Sequence, residues 1–467
     1  MMYFMVYTAD MKVRHTERQF PMLERMFSDY LNPDHELLRA AKLIDWDGLH
    51  EALSFYYSPL GRSGKPIRLM VGIHILKHRY SCSDERAVEE LHENAYWQCF
   101  CGFNIFQEGQ ILDASSLVKF RNRIGTEGMK KVEAVLLQTW TEMGLVKTKR
   151  VSVDTTAQPK NIAYPTDVDL CHRIRERIVK EVKSIRKEVN LRKTFRSFTR
   201  TGKKVLLRAK KLYRNNPRMR GASIKRLKKM THRVVNQAAR IVNTLYARGY
   251  NEMGRKLNQL VLLGKRVVDQ TEKVLSGKVP QKRLYSLHEL NVAAIKKGKS
   301  HPSCEFGSVV SLSMNEDGLI LSHAEYQHNI SDTGTMGRVI NGIKENTAQR
   351  PLCVGADRGF NQSPQKQERC RRRWGVKRLS IPKKGKHPHP NSEACWFKQS
   401  QKQRAKIEPV IGHLKSDHRM GRCRYKGASG DTANVVWAAL AWNTKKITSL
   451  HKQREKTSRS ETERVAA

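Results

Sequence analysis

The spacing of apolar residues changes partway along the chain, and this change limits the fold to a mixed α/β class. Early stretches such as IRLMVGIHILKHRY carry apolar residues at helical spacing. KTKRVSVDTTAQ instead alternates, with Val151 and Val153 on one side, which predicts a strand that ends near Asp154. We therefore expect an all-α N-terminal domain over 1–145 and an α/β domain over 146–447.

A long basic segment interrupts the α/β domain. Residues 171–229 contain 23 Lys or Arg, three Glu and no Asp, yet Ile174 and Ile178 keep helical spacing. An apolar stripe of this kind indicates packed helices rather than a disordered chain. The sequence thus predicts a helical insertion at about 168–285. The final residues, 448–467, are polar and are expected to be disordered.

Strand-like text returns after the insertion. EFGSVVSLSMNEDGLILSHAEY predicts a hairpin with strands near 309–314 and 319–324. PLCVGADRGF predicts a short strand that delivers Asp357, and helical spacing resumes around Glu408. Three acids thus fall where strands end or a helix begins, and strand ends are where α/β folds place their chemistry.

Charge narrows the range of partners. The chain has 88 Lys or Arg against 44 Asp or Glu, a net charge of +44, which favours a polyanion and above all nucleic acid. No stretch approaches 18 apolar residues and the start lacks a secretory pattern, so we expect a cytoplasmic protein that binds no membrane. The nine cysteines form no CxxC pair, which argues against structural zinc and fits a reducing compartment.

The stretch RAKIEPVIGHLKSDHRM places one acid among cations. On a helix, Glu408 and Lys415 share a face because seven residues are nearly two turns, and Arg404 precedes Glu408 by one turn. A carboxylate flanked by cations suits a metal ligand at a site that handles phosphates. An ordinary charge pattern on a solvated helix face explains the same spacing.

Two basic helical segments are candidates for contacts with the DNA backbone. In DASSLVKFRNRIG, Lys119, Arg121 and Arg123 are expected to face away from the apolar side of their helix. In the insertion, the basic cluster comprises Lys225, Arg226, Lys228 and Lys229. Such contacts hold phosphates and carry little base information. A solvated basic face is the alternative in both cases.

The three acids suggest a site for a hard cation that acts on phosphodiesters. Mg²⁺ prefers oxygen ligands and completes its shell with water and phosphate oxygens. Two such ions could activate the attacking oxygen and stabilise the leaving one. The expected ligands are Asp154, Asp357 and Glu408.

Several phrases resemble insertion-sequence transposases of the DDE type, specifically the IS-five group. They are VSVDTTAQPKNIAYPTD, RLYSLHELNVAAIKKGKSHPSCEFGSVVSL, VGADRGF and IEPVIGHLKSDHRMGRCRYKGASGDTANVVWAALAWN. The family's Arg–Glu–Lys signature stands here as Arg404, Glu408 and Lys415, while Gln401 replaces its usual Tyr. Phe360 likewise replaces the Tyr that usually follows the Gly after the second Asp. The similarity runs from about residue 46 to 446.

This resemblance implies an RNase H-like catalytic core with Asp154, Asp357 and Glu408 as its triad. It implies two Mg²⁺ ions, with Mn²⁺ as a substitute, and a helical N-terminal domain that binds terminal inverted repeats. The implied reaction is hydrolysis at the element's ends, followed by attack of the freed 3′-OH on target duplex DNA. A homodimer that pairs two ends, in a prokaryotic cytoplasm at the nucleoid, is expected.

Two other interpretations account for part of the sequence. The chain could be a transposase relic that binds its repeats without cutting them, although the intact triad favours activity. A basic RNA-binding or ribosome-associated protein would explain the charge but not the three acids in order.

Overall fold

The computed structural model describes residues 26–58, 60–61, 63–191, 193–211, 217–296, 304–383 and 389–466, with the backbone alone for 217–220, 459 and 461–466. The first 25 residues of the predicted N-terminal domain therefore lie outside the described residues. None of the helices described is both long enough and apolar enough to cross a membrane.

Short helices precede the sheet. They are α1 (Phe27–Tyr30), α2 (Glu36–Lys42), α3 (Trp46–Ser54), α4 (Ile67–Arg79), α5 (Asp84–Glu93), α6 (Ala95–Phe100) and α7 (Ala114–Glu142). Local signals fix some of their ends: the Ser83 side chain accepts a hydrogen bond from the Arg86 N–H and caps α5. Gly125, at φ 57°, divides α7 into two helical halves.

A six-stranded mixed sheet forms the centre of the C-terminal part. Its strands are β1 (Arg150–Pro159), β2 (Ala293–Ile295), β3 (Glu305–Asn315), β4 (Ile320–Tyr326), β5 (Cys353–Gly355) and β6 (Arg378–Ser380). β1 lies between β3, to which it is antiparallel, and β5, to which it is parallel. β6 extends the parallel side, and the far edge of β3 pairs with β4 and β2. The predicted hairpin is confirmed as β3–β4.

The predicted end of the first strand is wrong. β1 continues beyond Asp154 because the residues after it keep their antiparallel pairing with β3, as far as Pro159 opposite Gly307. Asp154 therefore lies in the middle of a long strand. Its parallel neighbour is the shorter element, since β5 ends at Gly355.

Further helices cover both faces of the sheet. They are α12 (Asp332–Thr347), α13 (Pro364–Trp374), α14 (Cys395–Arg404), α15 (Ile407–Ser416) and α16 (Gly427–Ala466). Val151 and Val153 belong to one apolar core with α12, α16 and the N-terminal helices. On the other face, Leu312 of β3 packs with Ile411 and Leu414 of α15. The alternation of side chains along β1 thus directs Ser152 and Asp154 toward the α15 side.

The basic insertion folds around a core of its own. Its helices are α8 (Asp167–Val189), α9 (Thr199–Lys211), α10 (Pro217–Ala247) and α11 (Asn251–Leu275). The stripe that includes Ile174 and Ile178 is buried against Val235 and Val261 in a cluster separate from those of the sheet. This core explains how a segment so rich in cations holds a compact shape.

The structure also differs from the expected disorder over 448–467, since α16 continues to Ala466. The helix starts inside the core and carries its polar half outward without a break. Arg454 donates to the Gly144 carbonyl at 2.8 Å, and Glu455 lies 3.0 Å from Arg39. These contacts tie the first turns of the polar segment to the N-terminal helices.

Candidate active site

Two of the predicted acids stand close after paired positions of the neighbouring strands β1 and β5. The parallel register pairs Ser152 of β1 with Gly355 of β5. Two residues further along each chain stand Asp154 and Asp357. Gly355 faces α14, because a Cβ at this position would lie 2.6 Å from the Ser400 hydroxyl. Asp154 therefore belongs to the α14 side of the sheet by alternation, and Asp357 follows two residues after Gly355, in the turn beyond β5.

Backbone N–H groups hold both carboxylates. Asp154 Oδ1 accepts from the Thr155 N–H at 2.7 Å. Asp357 Oδ1 accepts from the Gly359 N–H at 2.8 Å and so caps a 3-10 helix, Arg358–Phe360. Both side chains are half-buried. The strand and the capped turn thus fix where the two carboxylates stand.

Glu408 approaches from a helix rather than a strand. It lies in the first turn of α15, beside Pro409, and α15 packs on the face of β3 next to β1. Its side chain is 66% exposed and its Oε1 lies 3.4 Å from Arg404 Nη1. Lys415 lies in the last turn of the same helix and is half-buried. The predicted helix with Glu408 and Lys415 is confirmed.

Asp154 and Asp357 follow paired strand positions, whereas Glu408 stands on a helix beside Arg404. Within the described ranges, no three His, Cys, Asp or Glu residues gather closely enough to hold a metal ion. Glu408 pairs with Arg404 at 3.4 Å instead. The donors are nevertheless of the right kind, because carboxylate oxygens with cations nearby are what Mg²⁺ and a phosphodiester require.

A fourth carboxylate, which the sequence analysis did not single out, stands beside Asp357. Asp332 begins α12, and its Oδ1 accepts from the Thr155 hydroxyl at 2.6 Å. A Cβ at Gly359 would overlap Asp332 Oδ2 and lie 2.9 Å from Asp357 Oδ1, so both carboxylates border the same glycine. In the sequence, the acid in HNISDTG is visible only as a helix start.

Gln401 occupies the position where the resemblance leads one to expect Tyr. Its Nε2 donates to the Ser380 carbonyl at 2.7 Å, the Ser380 hydroxyl at 2.9 Å and the Ala356 carbonyl at 3.3 Å. These bonds hold α14 against the ends of β5 and β6. Because Ala356 directly precedes Asp357, Gln401 supports the strand end that carries this acid.

Arg121 is not available for DNA, and its prediction as an outward-facing residue is wrong. Its guanidinium makes two hydrogen bonds to Asp84, at 3.0 and 2.8 Å, and lies 4.4 Å above the Tyr425 ring. Arg121 stands one turn after Leu117, on the side of α7 that packs against α5 and the loop that follows α15. Lys119 and Arg123 remain exposed.

In the insertion cluster, Lys225, Arg226 and Lys229 are exposed on α10. Lys228 is half-buried and pairs with Glu272 of α11. Three of the four predicted cations therefore face solvent, and the fourth is offset by a carboxylate.

Two family models match parts of this chain. Residues 25–123 match a transposase domain (DUF772), and residues 280–444 match a transposase DDE domain. The second match includes Asp357 and Glu408 but not Asp154. The chain is also similar to the uncharacterized protein ORF8 in the nfe locus of Rhizobium meliloti, with 39% identity over 184 residues, which is 39% of this chain and 86% of that protein. No solved structure matches.

The two transposase domains lie in order along the chain, one on the N-terminal helices and one on the sheet with its acids. The same order of helical region and acid-bearing sheet emerges from the fold. The chain belongs to the insertion-sequence transposases that carry a DDE domain.

Proposed function

We propose that this transposase cuts and joins DNA with Asp154, Asp357 and Glu408 as its catalytic carboxylates. The observation that carries the proposal is that Asp154 of β1 and Asp357, just after β5, each stand two residues beyond a paired position of these parallel strands, with the helix of Glu408 packed on the same sheet. We infer with it that the core is RNase H-like, since antiparallel strands on one side of β1 and parallel strands on the other support that fold.

The carboxylates suit Mg²⁺, with Mn²⁺ as a substitute, and no nitrogen or sulfur ligand is needed. A pair of such ions would activate the attacking oxygen and stabilise the leaving one. The chain's own residues position the DNA around them. Arg404 and Lys415 flank Glu408 on α14 and α15, where their cations suit the phosphates next to the scissile bond.

The N-terminal helical region is proposed to bind the terminal inverted repeats. Lys119 and Arg123 are exposed on α7 and suit phosphate contacts, whereas Arg121 is committed to Asp84. Strand transfer of the freed 3′-OH into duplex target DNA would follow cleavage. A homodimer that holds two ends, working at the nucleoid in the cytoplasm, completes the proposal.

Cleavage of a labelled duplex that carries the terminal repeat tests the triad. Asp154→Asn, Asp357→Asn and Glu408→Gln should each lower the cleavage rate by a hundredfold or more, because losing a ligand costs several kcal/mol and about 1.4 kcal/mol is tenfold in rate. Repeat binding, measured by gel shift, should stay within about twofold. Glu127→Gln, on an exposed residue of α7, is the matched control.

Any of the three variants that still cuts near the wild-type rate would remove that residue from the triad. Wild-type protein that shifts the repeat without nicking it in Mg²⁺ or Mn²⁺ would favour a binding relic. Equal affinity for RNA and for the repeat would favour an RNA-binding protein.

A further inference from the structure

The insertion contains an open cleft of about 930 Å³ between α8, the turn that leads into α9, and α10. This volume lies within the range of ligand sites in proteins. Its lining residues are Lys183, Phe195, Arg196, Ser197, Phe198, Thr199, Arg200, Thr201, Arg226, Lys229, Met230 and Arg233. Half of them are cations and two are aromatic.

The cleft concentrates positive charge without an internal counterion. None of its lining residues is acidic, and within the described part of the chain none of its six cations pairs with a carboxylate. Other cations of the insertion do have partners: Lys210 pairs with Asp169, and Lys256 with Glu181. The lack of carboxylate partners thus distinguishes the cations of the cleft from these other cations. It makes the cleft suited to an anionic ligand.

The aromatic residues give the cleft a second chemical property. Phe195 and Phe198 are half-buried at its wall, with the Arg186 guanidinium 5.6 Å from the Phe195 ring and the Arg196 guanidinium 5.4 Å from the Phe198 ring. Phe198 has a φ of 53°, a left-handed conformation that a non-glycine residue adopts at a cost. The backbone thus holds this ring at the cleft against its local preference.

From these observations we propose that the cleft binds unpaired DNA. Cations along a groove with aromatic rings beside them form the combination that holds single strands, with phosphates on the cations and bases stacked on the rings. In a duplex the base faces are already stacked, so it could use the cations but not Phe195 and Phe198. The inference rests on the proposed action on DNA, because cleavage at an element's ends is what would expose unpaired nucleotides.

Fluorescence anisotropy of the full-length protein with a labelled oligothymidine and with a hairpin duplex of equal charge tests the proposal. Asp154→Asn protein in EDTA is used throughout, so that cleavage plays no part and a failure of the proposed triad leaves the result intact. The double variant Phe195→Leu/Phe198→Leu should lose about tenfold or more of its single-strand affinity, because each stacked base contributes substantially. Its duplex affinity should stay within about twofold.

The salt dependence of binding should distinguish the contribution of the cations from that of the aromatic rings. Arg196→Gln/Arg233→Gln should flatten the slope of log K against log salt on single strands by roughly 1.4, whereas the Phe variant should leave that slope unchanged. The variant Phe195→Tyr/Phe198→Tyr keeps both rings, so it should bind single strands even if the leucine variant is poorly folded. Phe55→Leu, at an exposed aromatic residue outside the insertion, is the matched control and should bind like the parent protein.

Unchanged single-strand affinity in the folded leucine variant would overturn the proposal. Equal losses on single strands and duplex would overturn it as well, since they would reduce the cleft to a general basic surface. Tighter, Phe-dependent binding of an RNA of matching sequence would assign the cleft to RNA instead.

Discussion

Asp332 holds the hydroxyl of Thr155, the residue that follows Asp154, and borders Gly359 together with Asp357. It therefore touches the surroundings of two proposed metal ligands from a third element, α12. Second-layer groups of this kind orient ligands and tune the affinity for the ion. We expect Asp332 to act as a positioning residue for the carboxylate pair.

Asp332→Asn should lower cleavage by about tenfold to a hundredfold and raise the Mg²⁺ concentration for half-maximal cleavage, because the side chain keeps its acceptor but loses its charge. Repeat binding should be unchanged. Thr155→Val is the matched variant, as it removes the hydrogen bond and leaves the charge. An Asp332→Asn protein with wild-type Mg²⁺ dependence would limit the residue to capping α12.

For individual residues, the sequence predicts contacts between neighbours along the chain. It misses contacts between residues that are far apart in sequence. The Arg404–Glu408 pair was predictable because the two residues are four apart in sequence, although the structure places them on α14 and α15. Arg121 was predicted to face outward, but it is buried and its carboxylate partner belongs to α5, 37 residues earlier. Asp332 escaped notice because only the fold brings α12 beside the turn after β5.

The insertion is the element whose charge can be tested directly. Replacing Lys225, Arg226, Lys228 and Lys229 with Gln should flatten the slope of log K against log salt on duplex DNA by roughly 2 to 3, since each phosphate contact contributes about 0.9. Lys228 is expected to add little because it already pairs with Glu272. Specific and non-specific duplexes should weaken alike.

A slope equal to that of the wild type would show that this part of α10 is a solvated face and not a DNA contact. Cleavage by the variant at saturating DNA serves as the control for an intact sheet. Helices in the insertion were predictable, because Ile174 and Ile178 of α8 belong to an apolar stripe that is buried in the insertion core. The Lys228–Glu272 pair was not, as it depends on how α10 packs against α11.

Across the whole molecule, the N-terminal helices and the sheet share one apolar core, and a buried charged cluster joins them. Asp84 lies between Lys77 and Arg121, whose side chains are 2% and 8% exposed, and both cations contact Tyr425. Burial alone would raise the pKa of Asp84, but Arg121 and Lys77 hold it well below its usual range. The change of sequence pattern near residue 147 shows where the strands start, but not that the core continues across it.

Asp84→Asn should lower the free energy of unfolding by about 3–5 kcal/mol, because it leaves two buried cations without their carboxylate. Urea denaturation measures the loss. Glu127→Gln, which breaks the exposed pair with Lys130, should cost no more than about 1 kcal/mol. Similar losses in the two variants would mean that the cluster does not join the two parts as described.

A second buried group makes the same junction sensitive to pH. His323 of β4 lies 3.1 Å from Glu133 of α7 and 2.6 Å from Glu325. Burial alone would lower the pKa of His323, but the two carboxylates raise it well above 6.5. The stabilisation is therefore complete below about pH 6.5 and is lost as the pH rises through the higher folded-state pKa of His323.

The free energy of unfolding of the wild type should thus fall on the alkaline side more steeply than that of His323→Gln. Comparing the two proteins over the same pH series cancels the titration of groups that do not contact His323. Parallel curves would show that His323 is neutral in the folded protein.

The junction between β1 and the insertion has a consequence for how this segment can change. Where the polypeptide leaves β1 for the insertion, Pro159 lies opposite Gly307 of β3, and any Cβ at that glycine would collide with the Gln158 carbonyl. The two strands thus stay paired up to the point where the chain leaves the sheet for the insertion. The insertion helices pack around a core of their own. We therefore expect changes confined to this segment to leave the neighbouring strands in place, whereas any side chain at Gly307 would force β1 and β3 apart.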